Sequence, residues 1–391
     1  MGSFESPTDI GFIGLGAMGL GMASDLQRRP QYTVTGFDIW QPSLDKFVAT
    51  GGRAGQSPRD VAQTSQFLIC MAATAQQLDS ILFDNSAINE LPRDATIVLC
   101  STVPPTYYNT LPARIASIGR PDVAVVDAPV SGGTLRAANG TLTIFAAGSS
   151  AALARVKALL HDMSERLYII SGDLGAASKV KMINQLLVGT HIAAASEAIA
   201  LATKAGLDTR EVFDIIQCTS GSSWAWTNRV PHMLEEDWTP LSALNIFVKD
   251  MFPLPIAALT EQLYISASAQ GFGREDDAGL VRLFLQGPEE STIRKSNVKL
   301  IDQLLASIHL VAAGEAMAFA THLGLKASQL FELLCNAAAW SWMFESRVPK
   351  LLKGSPSSTW APSHFQFMCE VKPSCPHMLS VTVVQLSPSE M

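Results

Sequence analysis

Residues 10–22 read IGFIGLGAMGLGM, an apolar run that breaks at Gly14, Gly16 and Gly19 and then resumes with helix-forming residues. The spacing is G-x-G-x-x-G, placed after a strand pattern and before a helical one. Gly14 permits a tight turn, Gly16 removes the Cβ that would block a pyrophosphate, and Gly19 lets the next helix pack closely. The first amides of that helix, with Met18 at the turn, then face the anion. An acid completes the pattern. Asp38 ends the run TVTGFD, 19 residues after Gly19, close to where a carboxylate bonds the adenosine ribose. A 2′-phosphate would meet that charge, and the nearest downstream cations are Lys46 and Arg53. The pattern therefore favours NAD over NADP. A strand-end Asp also caps turns, and that simpler role stays open on local grounds.

Working outward, short β-branched runs alternate with helical stretches from Ile10 to about Ile170: GFIGLG, YTVTGFDI, FLICMA, TIVLC, VAVVDAPV, TLTIFAAG and RLYII. That rhythm predicts βαβ units, an α/β Rossmann-like domain over residues 1–173. After Gly172 the strand signals stop. Val180, Ile183, Leu187, Ala194, Ala198 and Leu201 recur at helical spacing and predict one long buried helix.

The helical part repeats itself. VKMINQLLVGTHIAAASEAIALATKAGL from Val180 realigns without gaps on VKLIDQLLASIHLVAAGEAMAFATHLGL from Val298, an offset of 118 residues. Trp224, Arg229, Val230 and Pro231 return as Trp342, Arg347, Val348 and Pro349 in the same register. The expected organisation is the α/β domain, a helical domain over 174–290, and a second, incomplete copy of it over 291–391. The stretch QGPEEST, Gln286–Thr292, reads as the linker.

Composition removes several function classes. The chain has 391 residues, too many for one small module, with 48% hydrophobic and only 16% charged residues. A net charge of -7 and the lack of any dense Lys/Arg run argue against nucleic acid as partner. The six cysteines, Cys70, Cys100, Cys218, Cys335, Cys369 and Cys375, form no C-x-x-C pair. This suits a reduced compartment, and no zinc spacing is present. No membrane span is expected, because Glu197 and Glu315 interrupt the longest apolar stretches. The N-terminus shows no leader pattern, so a cytoplasmic location is expected.

Several residues have chemistry in reach. DAPVSGG, Asp127–Gly133, follows the apolar run VAVV, which puts Ser131, Gly132 and Gly133 at the ligand end of a strand. A hydroxyl and two unobstructed amides suit a carboxylate, although S-G-G is also an ordinary turn. In CSTVPP, Ser101 and Thr102 end another strand, where a hydroxyl can face the reactive end of the cofactor or simply cap a turn. Lys181 opens the long helix, where the helix dipole and burial would both lower its pKa from about 10.4 toward the range of a working acid or base. Asn184 and Gln185, one turn on, can bond substrate or the lysine. A lysine in a first turn is more often solvated surface, and Lys249-Asp250 in IFVKDM is more often a structural ion pair. His191 and His309, equivalent in the two copies, read as satisfied core histidines, and the W-x-W pairs at 224/226 and 340/342 as packing.

Taken together, GFIGLGAMG, STVPP, DAPVSGG with GTLTI, VKMINQ, FVKDM and GFGREDD resemble the β-hydroxyacid dehydrogenases in order and spacing over about residues 9–285. KMINQLLVGTHIAAASEA and SSWAWTNRVPHML look most like the L-threonate branch. The resemblance implies NAD as cofactor and Thr102 in contact with it. It also implies a substrate carboxylate held by Ser131 to Gly133, a catalytic Lys181 and a Lys249 near the nicotinamide. It further implies oxidation of a small hydroxy acid, with a four-carbon sugar acid preferred. The alternatives are 3-hydroxyisobutyrate dehydrogenase, tartronate semialdehyde reductase, or a catalytically retired nucleotide-binding scaffold. Ala177 departs from the family's usual Gly. The counterpart of FVKDM in the second copy, near Met368 to Pro373, is degraded, so no second active site is expected around Lys299. A homodimer is expected, or a monomer if the second copy replaces a partner.

Overall fold

The N-terminal part builds one sheet from β1 (Thr8–Ile13), β2 (Tyr32–Phe37), β3 (Arg53–Ala54), β4 (Phe67–Cys70), β5 (Thr96–Leu99), β6 (Ala124–Asp127), β7 (Val130–Ser131), β8 (Leu142–Gly148) and β9 (Ser164–Ile169). The structure is a computed structural model and describes residues 7–240, 242–252, 254–286 and 297–353. Strand order is β3-β2-β1-β4-β5-β6-β8-β7, with β9 beside β8. From β3 to β6 all neighbours run parallel, and β8 turns antiparallel to β6 and β7. Order reverses at β1, whose neighbours are β2 and β4, so the ligand crevice lies beyond the carboxyl end of β1.

Burial on both faces explains the strand sequences. β5 reads TIVL and is buried throughout, as a central parallel strand flanked by helices must be. The sheet's two faces carry separate apolar cores. All seven runs read from the sequence are strands. The added ones, β3 and β7, have two residues each and are too short for a periodic signal.

Beyond β9 the described residues are helical. The long helix Ala176–Lys204 is apolar nearly all round and buried nearly all round. It begins a turn earlier than its periodicity predicts, for a reason given below. The second long helix, Val298–His322, packs along it, and the two share one core. Between them the stretches Ser222–Trp224 and Trp340–Trp342 form reciprocal backbone bonds: Trp224 N–H to the Trp340 carbonyl, and Trp342 N–H to the Ser222 carbonyl. These positions are equivalent in the sequence repeat.

Two expectations are corrected here. Both long helices are long and apolar enough to cross a membrane by length and composition, because one glutamate in each hardly lowers the mean hydropathy. Most of the first and half of the second are covered by protein, as for core helices. His191 and His309 are indeed fully buried, with ring centroids 4.4 Å apart. Their four ring nitrogens, however, have no partner among the described residues, so they are not satisfied. The degraded counterpart of FVKDM and the linker stretch from Gly287 lie outside the described residues.

Candidate active site

The glycine turn has the shape its sequence demands. Gly14 has φ +98°, and a Cβ there would come within 2.4 Å of the Met71 carbonyl oxygen. A Cβ on Gly19 would lie 1.9 Å from the Gly14 carbonyl oxygen, so helix Gly19–Gln27 rests directly on the turn. At Gly16 a Cβ would meet nothing within 4 Å, which leaves that side open where a pyrophosphate would approach. Met18 is half-buried just before the helix. Asp38 Oδ2 accepts the Leu15 N–H at 2.6 Å, and Oδ1 accepts the Trp40 N–H at 2.8 Å. The acid thus braces the glycine turn from the end of β2. The turn, the open side and the acid fit a dinucleotide.

At the ends of β4 and β5, Ser101 is structural. It is fully buried, and its Oγ accepts the Ala72 N–H at 2.7 Å. Thr102 is half-buried, and its carbonyl accepts Lys249 Nζ at 3.1 Å. Lys249 also pairs with Asp250 at 2.6 Å. This places the IFVKDM helix, Asn245–Asp250, against the cofactor end of the sheet.

Lys181 is not surface: it is 5% exposed. Burial lowers its pKa to about 8, with Asp250 pulling it up and Lys249 pushing it further down. Because the helix starts at Ala176, Lys181 lies beyond the first turn, and desolvation rather than the helix terminus shifts it. Gln185 Nε2 donates to Asp250 Oδ2 at 3.0 Å, and Asn184 Nδ2 to Gln185 Oε1 at 3.3 Å. Asn184 Oδ1 is buried with no partner among the described residues. One polar chain therefore runs from Asn184 through Gln185, Asp250 and Lys249 to the Thr102 carbonyl, with Lys181 beside it.

Ser131 ends β7 opposite Thr143, and Gly132 and Gly133 follow with φ +140° and +73°. A side chain at Gly132 would press on Arg136, and the positive φ of both residues favours glycine there. The link between this cradle and the lysine is Asp127, which sequence reasoning left without a role. Its carboxylate is fully buried at the end of β6 and accepts the Ser178 N–H at 2.8 Å and the Ser178 hydroxyl at 2.7 Å. It therefore caps the first turn of the long helix from another part of the fold. This is why the helix can begin at Ala176, after Gly175, with no side-chain cap of its own. Burial raises the Asp127 pKa to about 6, and the Ser178 hydroxyl and amide hold it below what burial alone would give. Asp127 lies four residues before Ser131 and Ser178 three before Lys181, so one clamp sets both halves of the site. The only sequence signal was an acid closing an apolar strand.

GFGREDD is structural. Asp277 binds Arg229 at 2.5 Å in a buried ion pair, and a Cβ on Gly273 would strike the Asn245 side chain. Trp226 is fully buried and donates to the Phe213 carbonyl, which supports packing for that pair. Lys299, the repeat counterpart of Lys181, is exposed.

Known proteins resemble this arrangement. Residues 9–172 match the NAD binding domain of 6-phosphogluconate dehydrogenase. Residues 175–284, and also 296–364, match the family described as NAD-binding of NADP-dependent 3-hydroxyisobutyrate dehydrogenase. An L-threonate dehydrogenase of Cupriavidus necator is 38% identical over 288 residues, 71% of this chain and 96% of that protein. One from Escherichia coli K12 is 33% identical over 293 residues, 70% and 94% of the two chains. The crystal structure of 3-hydroxyisobutyrate dehydrogenase from Salmonella typhimurium superposes with a TM-score of 0.64 at 35% identity, covering 71% of this chain and 99% of that one. On these grounds the chain belongs to the β-hydroxyacid dehydrogenase family, in its L-threonate branch.

Proposed function

We propose that this protein is an NAD-dependent dehydrogenase that oxidises the hydroxyl of a four-carbon sugar acid such as L-threonate, with Lys181 as general base. One observation carries the reading: a buried amine with a pKa of about 8 beside a polar chain that reaches the cofactor end of the sheet. Gly14, Gly16, Met18, Gly19 and Asp38 would hold the adenosine and pyrophosphate, and Thr102 and Lys249 the nicotinamide end. Bound NAD supplies the carbon that receives the hydride. The Ser131 hydroxyl and the amides of Gly132 and Gly133 hold the substrate carboxylate. The unprotonated Lys181 amine takes the hydroxyl proton as the C–H bond breaks. Asn184 Oδ1, an acceptor without a partner among the described residues, suits a second substrate hydroxyl, and Gln185 orients the first. Positioning supplies much of the rate.

The kinship to an L-threonate dehydrogenase at 38% identity supports the four-carbon acid. The 3-hydroxyisobutyrate dehydrogenase structure keeps that substrate as the second reading, ahead of a tartronate semialdehyde. A retired scaffold would have no use for a buried lysine with its hydrogen-bond chain intact. A cytoplasmic location and the three-part division at 1–173, 174–290 and 291–391 belong to the same reading. So does a second repeat that stands in for a partner subunit, leaving a monomer or a dimer through another face.

Replacing Lys181 with Met is expected to lower kcat at least about a hundredfold while NAD binding persists. A panel of small hydroxy acids, assayed by NADH absorbance with NAD and NADP in parallel, identifies the substrate. Undiminished turnover in the variant refutes the lysine's role.

A further inference from the structure

The second repeat touches the first at two places next to the candidate catalytic groups. Helix Pro255–Ala269 starts five residues after Asp250, and its N-cap residue, Leu254, offers no side-chain cap. The carboxylate of Glu315, in the middle of Val298–His322, supplies that cap: it accepts the Ile256 N–H at 3.0 Å and the Ala257 N–H at 3.3 Å. One turn further along the same helix, Phe319 stacks on Phe252 with ring centroids 4.7 Å apart. Phe252 is two residues from Asp250. At the other end, Lys179 donates to the Leu323 carbonyl at 3.0 Å, beside the carboxyl end of Val298–His322 and two residues before Lys181.

The sequence repeat makes the arrangement informative. Glu197 is the counterpart of Glu315 and is exposed, with its pKa raised by what burial it has. The same residue type thus has a capping task in one repeat that it lacks among the described residues of the other.

We propose that the second repeat is a positioning element for the catalytic site of the first, with Glu315 as its principal positioning residue. It acts through the Phe252 ring and the start of helix Pro255–Ala269 on Lys249 and Asp250, and through them on Lys181. Without the cap, the amino end of helix Pro255–Ala269 loses its anchor, and the Asp250 carboxylate moves away from Gln185 and Lys181. Asp250 raises the lysine's pKa, so its withdrawal leaves the amine easier to deprotonate. Lys249 loses its purchase on the Thr102 carbonyl at the same time. The proposal rests on the functional reading above only for its kinetic readout.

The test uses the full-length chain carrying Glu315→Ala or Glu315→Gln, compared with Leu334→Ala, a buried second-repeat position on a different helix, Ala327–Cys335. Three quantities are read: kcat for hydroxy acid oxidation, the pH at which activity rises, and the NAD-induced rise in Tm, which needs no turnover. Glu315→Ala should lower kcat by tenfold or more, up to about a hundredfold, move the activating limb to lower pH and shrink the NAD-induced shift. Glu315→Gln keeps one acceptor oxygen and should recover most of each. Leu334→Ala should lower Tm and leave the limb in place. Should Glu315→Ala fail to fold, Glu315→Gln is read alone for a smaller displacement in the same directions. An unmoved limb together with an unmoved NAD shift in a folded Glu315 variant overturns the proposal. A wild-type protein inactive on every hydroxy acid sinks the functional reading instead, and the NAD shift still decides this one.

Discussion

The two long helices differ in what starts them. Val298–His322 begins at its own cap, with Asn297 Oδ1 accepting the Leu300 N–H at 3.0 Å. Ala176–Lys204 begins four residues earlier in the shared register, and its first turn is closed by Asp127 from the end of β6. The consequence is seen at equivalent lysines. Lys181 is drawn under the sheet and desolvated, whereas Lys299 stays in water with no sheet above it. Nearly the same helix sequence therefore yields a buried amine in one case and an exposed one in the other. The residue type does not set the amine's surroundings; the part of the fold that covers it does.

The largest expected effect separates the two lysines. Lys181→Met should remove activity as described, and Lys299→Met should leave kcat where it is in the same NADH assay. Loss of activity in both would erase the contrast. Next come the two caps. Asp127→Ala removes both acceptors from the Ser178 N–H and hydroxyl, loosens the start of the first helix, and should lower kcat about tenfold through a misplaced Lys181. Asn297→Ala should cost about 1 kcal/mol of stability by thermal melting with kcat unaffected.

The last contrast, which leaves catalysis untouched and shows only in stability at low pH, lies where the helices cross. Burial holds His309 at a pKa of about 3, below its ordinary 6.5. Below pH 6.5 the unfolded chain therefore binds a proton that the folded chain refuses, and stability falls with falling pH. Relative to His309→Leu, the wild type should lose about 1.4 kcal/mol per pH unit across that window in denaturant melts. A pH-independent difference would mean that the ring is hydrated.

Much of this was legible beforehand. The strand rhythm, the glycine turn, Asp38 and the repeat register all follow from local patterns with a direct steric or packing cause. Lys181, Gln185 and Lys249 were legible locally only as candidates beside a surface or ion-pair reading, and the resemblance tipped the choice, because their burial depends on elements far away in the chain. The Asp127 clamp and the Glu315 cap were not legible. Each joins residues 51 or more positions apart, and neither leaves a periodic trace. The histidines were misjudged because sequence shows that a ring is buried but not whether its nitrogens find partners.

The most direct test is the initial rate of NADH formation from the preferred hydroxy acid, followed from about pH 6 to about pH 10. The account predicts a rate that climbs as Lys181 loses its proton and levels off above a midpoint close to 8. A rate flat through that range, or one whose midpoint stays in place when Lys181 is replaced, would contradict it.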